Sequence, residues 1–116
     1  VEDNAMNRVL IEAVFSTQPQ VQVAMACTLG EGLSCVQATP PDVVLLDINL
    51  PDGNGLTLAR ELAGWPAEQR PLVIALSADA LPESIAVATD AGVDHYLVKP
   101  LQINRLLNIL HKHFQV

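Results

Sequence analysis

The segment 43–55 reads Val-Val-Leu-Leu-Asp-Ile-Asn-Leu-Pro-Asp-Gly-Asn-Gly and decides which class of fold the chain can adopt. Its first four residues are all aliphatic, which predicts a strand buried on both faces. Asp47 ends this strand, and the residues from Asn49 to Gly55 are of types that favour turns. Strands buried on both faces belong to parallel sheets that helices cover on either side. We therefore expect an α/β protein.

The rest of the chain alternates between helical and strand-like apolar patterns, with Pro and Gly between them. Apolar residues at helical spacing predict five helices, over 6–14, 29–36, 56–63, 82–91 and 103–114. Continuous apolar runs predict strands over 21–26, 43–46, 72–76 and 93–98. The opening helix needs a strand before it to complete a right-handed crossover. A further strand, of which only Val1 remains, is therefore expected before residue 1.

Composition limits what the chain can be. The 116 residues are 50% hydrophobic, which suits one domain over 1–116 with a single core. No apolar run approaches the roughly 18 residues that a membrane span needs, so no membrane contact by this domain is expected. The formal net charge of −7 repels nucleic-acid phosphates, so we expect no direct nucleic-acid binding. Cys27 and Cys35 lack the spacing of a disulfide framework or a zinc site, and packing roles are expected for both.

Polar residues interrupt the predicted strands at the edge where a parallel sheet binds ligands. They share a position at the carboxyl end of a strand and are Glu2, Asp3, Asp47, Ser77 and Lys99. Three carboxylates drawn together repel one another unless a cation neutralises them, and oxygen ligands without His or Cys favour Mg²⁺. With that ion and Lys99 beside it, Asp47 becomes a candidate phosphoryl acceptor, and the Ser77 hydroxyl can hydrogen-bond the transferred group.

Four stretches of the sequence resemble the receiver domain of two-component response regulators. They follow the family's order and are Glu2-Asp3, the segment 43–55, Ala75-Leu76-Ser77-Ala78 and Tyr96-Leu97-Val98-Lys99-Pro100. The resemblance covers nearly the whole chain and lacks only most of the first strand. It implies an α/β, flavodoxin-like, doubly wound sheet of five parallel strands in the order 2-1-3-4-5, with five helices.

The resemblance also implies a role for each site residue. Asp47 would be phosphorylated from a phosphohistidine, and Lys99 would pair with the phosphoryl group. Asp3 and Asp47 would bind Mg²⁺ directly, Asn49 through its backbone carbonyl and Glu2 through water. The domain would be no enzyme beyond its own phosphotransfer and dephosphorylation.

Further residues match the family's switch and its variable positions. Ser77 and Tyr96 match the switch pair, in which the hydroxyl moves toward the phosphate and the ring turns inward. The bond from Lys99 to Pro100 would be cis, which is uncommon even before proline. The two variable positions that tune the access of the attacking water hold Asn49 and Asp79.

The implied partners are a histidine kinase or a histidine phosphotransfer protein, in the cytoplasm or on the cytoplasmic part of a membrane-bound sensor kinase. Residues 2–8 favour a receiver fused to a hybrid sensor kinase over one that precedes a DNA-binding module. Phosphorylation is expected to shift a face made by the fourth helix, the fifth strand and the fifth helix. A second copy of the chain is a further candidate partner for this face. Leu58 and Ile109 lie off the main apolar faces of their helices, which leaves partner contact and scattered exposure both open.

Two other functions remain open from the sequence. A small Mg²⁺-dependent phosphatase would use Asp47 as its nucleophile, although Asn49 stands where such enzymes place a general acid. A receiver-like interaction module would bind Mg²⁺ and take no phosphoryl group. Single residues also allow simpler roles, namely a turn residue at Ser77, a surface cation at Lys99 and a packed ring at Tyr96. Dinucleotide binding is not expected, because no G-x-G-x-x-G follows a strand.

Overall fold

Helices and strands alternate along the chain in a computed structural model that describes residues 28–38, 41–99 and 102–114. In chain order the elements are α1 (Leu29–Ala38), β1 (Val43–Asp47), β2 (Asn49–Leu50), β3 (Gly53–Asn54), α2 (Leu56–Ala63), a 3₁₀ turn (Ala67–Gln69), β4 (Leu72–Ser77), α3 (Pro82–Asp90), β5 (His95–Val98) and α4 (Ile103–Phe114). The predicted helix over 6–14, the predicted strand over 21–26 and the strand expected before residue 1 lie outside the described residues. Within the described ranges, no helix has the length and apolarity needed to cross a membrane.

Three parallel strands form the sheet that carries the candidate site, in the order β1-β4-β5. Asp47 is paired with Leu76, and Ser77 is paired with Val98, so the three strands end at the same edge. All six residues of β4 are buried, as expected for a central strand with helices on both faces. The predicted α/β class is therefore confirmed. These strands match the third, fourth and fifth of the predicted order, and the first two lie outside the described residues.

The side chains of the sheet alternate between two hydrophobic clusters, one on each face, because successive residues of a strand point to opposite faces. One cluster joins the sheet to α2 and α3 and includes Val44, Leu46, Val73, Ala75, Leu62 and Ala88. The other joins the sheet to α4 and includes Ile74, Leu76, Leu97, Leu106 and Leu110. Helices on both faces therefore fix the strands whose ends form the site.

Leu58 corrects one expectation from the sequence. It is fully buried and packs in the same cluster as Leu62, which lies four positions later and therefore on the same side of the helix. The buried arc of α2 is thus wider than the apolar stripe predicted for it, and Leu58 is a core residue. Ile109 is partly buried against the cluster on the other face.

The helices begin and end at residue types that favour these positions. The amide of Glu31 donates to Oγ1 of Thr28, which is the N-cap of α1. Pro82 occupies the first turn of α3, where its missing N–H costs nothing. Gly92 follows α3 with a φ of 103°, the left-handed conformation that favours glycine after a helix.

The residues after β1 differ from the predicted turn. Asn49 pairs with Asn54 and Leu50 with Gly53, so β2 and β3 form a two-residue antiparallel hairpin. Strands this short carry no periodic pattern, and the sequence shows only turn-forming residues there. The hairpin directly follows Asp47 and therefore shapes one side of the candidate site.

Candidate functional site

The carboxyl ends of β1 and β5 bring an acid and a base into contact. Asp47 is the last residue of β1, and Lys99 follows β5, on the far side of the central strand. Lys99 Nζ lies 2.7 Å from Oδ2 of Asp47 and donates a hydrogen bond to it within an ion pair. Only 2% of the Asp47 side chain and 25% of the Lys99 side chain are exposed. Because the pair is largely shielded from water, its charges interact more strongly than a surface pair would.

Backbone contacts at the end of β1 fix the direction of the Asp47 side chain. The amide of Asn49 donates to Asp47 Oδ1 at 3.1 Å, and the amide of Ile48 donates to the Leu76 carbonyl at 3.1 Å. The amide of Gly55 donates to the Ile48 carbonyl at 2.7 Å. A Cβ at Gly55 would collide with the backbone carbonyl oxygen of Asp47. This close approach, and not its φ of −58°, requires glycine at position 55.

Ser77 and Tyr96 are connected through one residue, Asp79. Ser77 is 2% exposed, and its Oγ accepts a hydrogen bond from the Asp79 amide at 3.0 Å. The Tyr96 hydroxyl donates to the carbonyl oxygen of Asp79 at 2.6 Å. The Lys99 amide donates to the Ser77 carbonyl at 2.8 Å, which ties Ser77 to the residue that pairs with Asp47. The candidate switch residues therefore share one hydrogen-bonded segment next to the ion pair.

The carboxylate of Asp79 is engaged by the start of α3. Ser84 Oγ donates to Asp79 Oδ2 at 2.6 Å, and the Leu81 amide donates to Oδ1 at 2.9 Å. The pKa of Asp79 is lowered from its usual value of 3.8. The largest cause is the hydrogen bond from Ser84, and the next is the bond from the Leu81 amide, while desolvation acts in the opposite direction. Asp79 is therefore charged at neutral pH. The sequence does not predict its hydrogen bond with Ser84.

Asp52 at the tip of the hairpin contacts the start of α1. Its Oδ1 accepts a hydrogen bond from the Leu29 amide at 2.7 Å, and its Oδ2 accepts one from the Gly30 amide at 3.0 Å. The Gly30 bond, followed by the Leu29 bond, lowers the pKa of Asp52 from its usual value of 3.8. The sequence assigns Asp52 to a turn. Because its partners lie 22 and 23 positions earlier, no local pattern reveals this contact.

Comparison with known proteins identifies the family. The family model for the response regulator receiver domain matches residues 1–111 of the chain. The chain belongs to the receiver domain family. Its predicted identity from the four sequence stretches is thereby confirmed.

Two curated relatives of this receiver come from Escherichia coli. The KDP operon transcriptional regulatory protein KdpE is 41% identical over 86 residues, which are 74% of this chain and 37% of KdpE. The signal transduction histidine-protein kinase BarA is 32% identical over 111 residues, which are 95% of this chain and 12% of BarA. The receiver therefore spans only a minor part of either relative, one a transcriptional regulator and the other a kinase.

Solved structures share the fold of this receiver. The receiver domain of a sensor histidine kinase from Pseudomonas aeruginosa, with a magnesium ion coordinated in its active site cleft, has a TM-score of 0.82 at 29% identity, covering 97% of this chain and 91% of that one. A two-component response regulator from Clostridium difficile has a TM-score of 0.87 at 21% identity, covering 98% and 91%. The predicted flavodoxin-like fold is confirmed by these similarities.

The structure gathers the described members of the receiver's predicted site. Asp47 contacts Lys99 and the Asn49 amide, while Ser77 and Tyr96 are linked beside them. The remaining predicted residues, Glu2, Asp3 and Pro100, lie outside the described residues. Within the part of the chain that the structure describes, no three acidic, His or Cys side chains gather into a metal cluster. The full set of Mg²⁺ ligands therefore stays a prediction.

Proposed function

We propose that Asp47 accepts a phosphoryl group from a phosphohistidine on a histidine kinase or a histidine phosphotransfer protein. The observation that carries this proposal is the 2.7 Å contact between Lys99 and Asp47, whose carboxylate is 2% exposed at the ligand-binding edge of the sheet. The ion pair with Lys99 holds the Asp47 carboxylate in one orientation, and a carboxylate is a group that can serve as the nucleophile in such a transfer. The receiver family of the chain supports the same role.

The described residues provide a nucleophile, a cation and a hydroxyl for the proposed phosphoryl transfer to Asp47. A carboxylate oxygen of Asp47 forms a bond to phosphorus, the bond from phosphorus to the imidazole nitrogen of the donor breaks, and its electron pair leaves with the imidazole. The Lys99 ammonium neutralises negative charge on the transferred group. The Ser77 Oγ accepts the Asp79 amide, so this bond leaves the hydroxyl proton of Ser77 for a phosphoryl oxygen.

The donor set fits Mg²⁺. Asp47 offers a carboxylate at the strand end, and Asn49 offers its backbone carbonyl two residues later, both of them the hard oxygen ligands that this ion prefers. Asp3 and Glu2 complete the proposed set, Asp3 directly and Glu2 through water. When bound, the ion would neutralise charge on the transferring group.

A labelling experiment tests the phosphoacceptor. Incubation with a small acyl phosphate and Mg²⁺ should add one phosphoryl group, which intact mass spectrometry detects and hydroxylamine removes. Asp47→Asn should abolish the label, because an amide is not a nucleophile of this kind. Asp42→Asn is the matched control, since Asp42 is exposed and lies just before the other end of β1.

The same experiment separates the alternative functions. Labelling that survives Asp47→Asn contradicts the proposal. Mg²⁺ binding without any acyl phosphate would indicate an interaction module that takes no phosphoryl group. Steady turnover of a phosphomonoester would indicate a phosphatase, which the family match does not favour.

We further propose that phosphorylation shifts the face made by α3, β5 and α4. Ser77 is linked through Asp79 to Tyr96 on β5, and Asp79 also binds Ser84 on α3. A pull of the phosphoryl oxygens on Ser77 would therefore reach both elements. Amide chemical shifts on this face should change on phosphorylation in the parent chain and change much less in Ser77→Ala.

The partner of this face is part of the same proposal. A second copy of the chain is one candidate, and a sedimentation experiment on the phosphorylated chain tests it. Val87 on α3 is 50% exposed, and Val87→Glu should abolish a dimer formed through this face. A monomer in both states would exclude the homodimer. We also propose that this domain acts in the cytoplasm, because the kinases that supply the phosphohistidine consume ATP and the cytoplasm contains ATP.

A further inference from the structure

The start of α1 is capped from two directions. Thr28 supplies a local cap, since its Oγ1 accepts the Glu31 amide at 3.1 Å. Asp52 supplies a second cap from the hairpin after Asp47, accepting the Leu29 and Gly30 amides at 2.7 and 3.0 Å. Hydrogen bonds to an ionised acceptor are stronger than neutral ones, and a negative charge is favourable at a helix N-terminus. The Asp52 contact is therefore a firm link between two segments that are distant in sequence.

The hydrogen bonds of Asp52 hold the tip of the hairpin, residues 51–54, against α1. Residues 51–54 are exposed, so the tip has little core packing of its own. A Cβ placed on Gly53 would lie 3.3 Å from a methyl carbon of Leu29, which shows that the tip lies directly against the first turn of α1. The two Asp52 bonds are thus polar contacts that join the tip to α1.

The base of the same hairpin orients the phosphoacceptor. Asn49 is paired with Asn54, and its amide donates to Asp47 Oδ1 at 3.1 Å. The Gly55 amide donates to the Ile48 carbonyl at 2.7 Å and closes the base. A displacement of the tip would therefore move the backbone of Asn49, whose amide holds Asp47 and whose carbonyl is the proposed Mg²⁺ ligand.

We propose that Asp52 is a positioning residue for phosphoryl transfer, which holds the backbone of Asn49 and the Asp47 carboxylate in place by tying the hairpin tip to α1. Asp52 does not contact the reacting atoms in this proposal and acts on the transfer only through Asn49 and Asp47. The labelling rate tests this role only if the proposed function is correct, on which the inference rests. Amide hydrogen exchange tests the role independently of the proposed function.

The test compares Asp52→Asn with Thr28→Val. Asp52→Asn keeps the size of an exposed side chain but removes its charge and one of its two acceptor oxygens. Thr28→Val removes the other cap of the same helix, the hydrogen bond that Thr28 Oγ1 accepts from the Glu31 amide. With a small acyl phosphate as donor, Asp52→Asn should be labelled roughly 3- to 10-fold more slowly and should need more Mg²⁺ for half-maximal rate, because small displacements of reacting groups cost rate. Thr28→Val should keep the parental rate and Mg²⁺ dependence, although both variants melt at lower temperature.

Amide hydrogen exchange supplies the second readout. The Asn49 and Gly55 amides should exchange faster in Asp52→Asn and at the parental rate in Thr28→Val. If both variants keep parental labelling and parental exchange at these amides, the positioning role is overturned and the proposed function stands. If the parent chain is not labelled at all, the proposed function fails, and exchange at Asn49 and Gly55 alone decides whether Asp52 holds the hairpin.

Discussion

Burial makes the two partners of the Asp47–Lys99 pair unequal. The Asp47 side chain is 2% exposed, whereas a quarter of the Lys99 side chain reaches solvent. Removal of the lysine would leave a carboxylate buried without this cation, which is costly. Removal of the acid leaves an ammonium that can turn toward water. The cost of losing the pair therefore depends on which partner is removed.

Substitution of each partner tests this asymmetry. Lys99→Met should lower the free energy of unfolding by about 2 kcal/mol, less than for a fully buried pair because the lysine is partly exposed. Asp47→Asn should cost less than about 1 kcal/mol. Urea denaturation without Mg²⁺ measures both. The variant that carries both Asp47→Asn and Lys99→Met should be more stable than Lys99→Met alone. Equal stability of these variants would contradict the cost assigned to the unpaired carboxylate.

Gly55 is the second residue on which the geometry of Asp47 depends. Gly55→Ala places a methyl group against the Asp47 carbonyl oxygen, so the backbone of β1 must move. We expect a loss of about 2–3 kcal/mol in urea denaturation, together with slower labelling. Gly64→Ala is the control, because its Cβ would meet the Glu61 carbonyl at an ordinary 3.5 Å, and its stability should change by less than about 1 kcal/mol. Similar losses in the two variants would show that Gly55 has no special role.

At the scale of elements, the start of α3 gives a prediction for pH. The hydrogen bond from Ser84 lowers the pKa of Asp79, so the ionised form is favoured in the folded chain. The resulting stability is fully present above the usual pKa of 3.8 and is lost as pH falls through the lowered pKa. Ser84→Ala should raise the pKa of Asp79 toward 3.8 and destabilise the chain at neutral pH, with a difference that shrinks in acid.

Carboxyl ¹³C shifts of Asp79 against pH, and urea denaturation at several pH values, measure these effects. Thr89→Val is the matched control, because it removes another hydroxyl bond of α3, to the Ile85 carbonyl, without touching Asp79. Its stability difference from the parent chain should not depend on pH in this range. An unchanged titration of Asp79 in Ser84→Ala would contradict the assignment of the shift to Ser84.

Regular elements were predictable where their side-chain pattern is local. The apolar spacing of residues 56–63 predicts α2 at the bounds observed, and β4 extends past the predicted run only by Ser77. The hairpin of β2 and β3 was not predictable, because strands of two residues carry no periodic pattern. The expectation that Leu58 lies off the buried face of α2 is wrong, because this helix packs over a wider arc than its main apolar stripe.

At the scale of the whole molecule, the site was predictable as far as the topology dictates it. Parallel strands end at one edge, so the contact of Lys99 with Asp47 follows from strand order, and the structure shows it. The link from Asp52 to Leu29 and the bond from Ser84 to Asp79 depend on loop conformations and not on strand order. Sequence periodicity has no information on such contacts.

Mg²⁺ should stabilise the whole fold. Ion binding to the folded state alone raises the free energy of unfolding by about 2.7 kcal/mol at a hundredfold excess over Kd. Thermal denaturation should show this gain in the parent chain and not in Asp3→Ala, where a proposed ligand is removed. Asp90→Ala, at the exposed end of α3, should keep the gain. An equal gain in Asp3→Ala would place the ion elsewhere.

The hydrogen bond from Tyr96 to Asp79 gives this chain a reporter of its own. The sequence contains one tyrosine and one tryptophan, so in a Trp65→Phe variant the near-ultraviolet absorbance comes from Tyr96 without the overlapping indole signal. The acceptor belongs to the residue whose amide also binds Ser77, so any displacement of that segment changes the surroundings of the chromophore. Difference absorbance in a stopped-flow instrument can therefore follow the molecule in real time, without an attached dye.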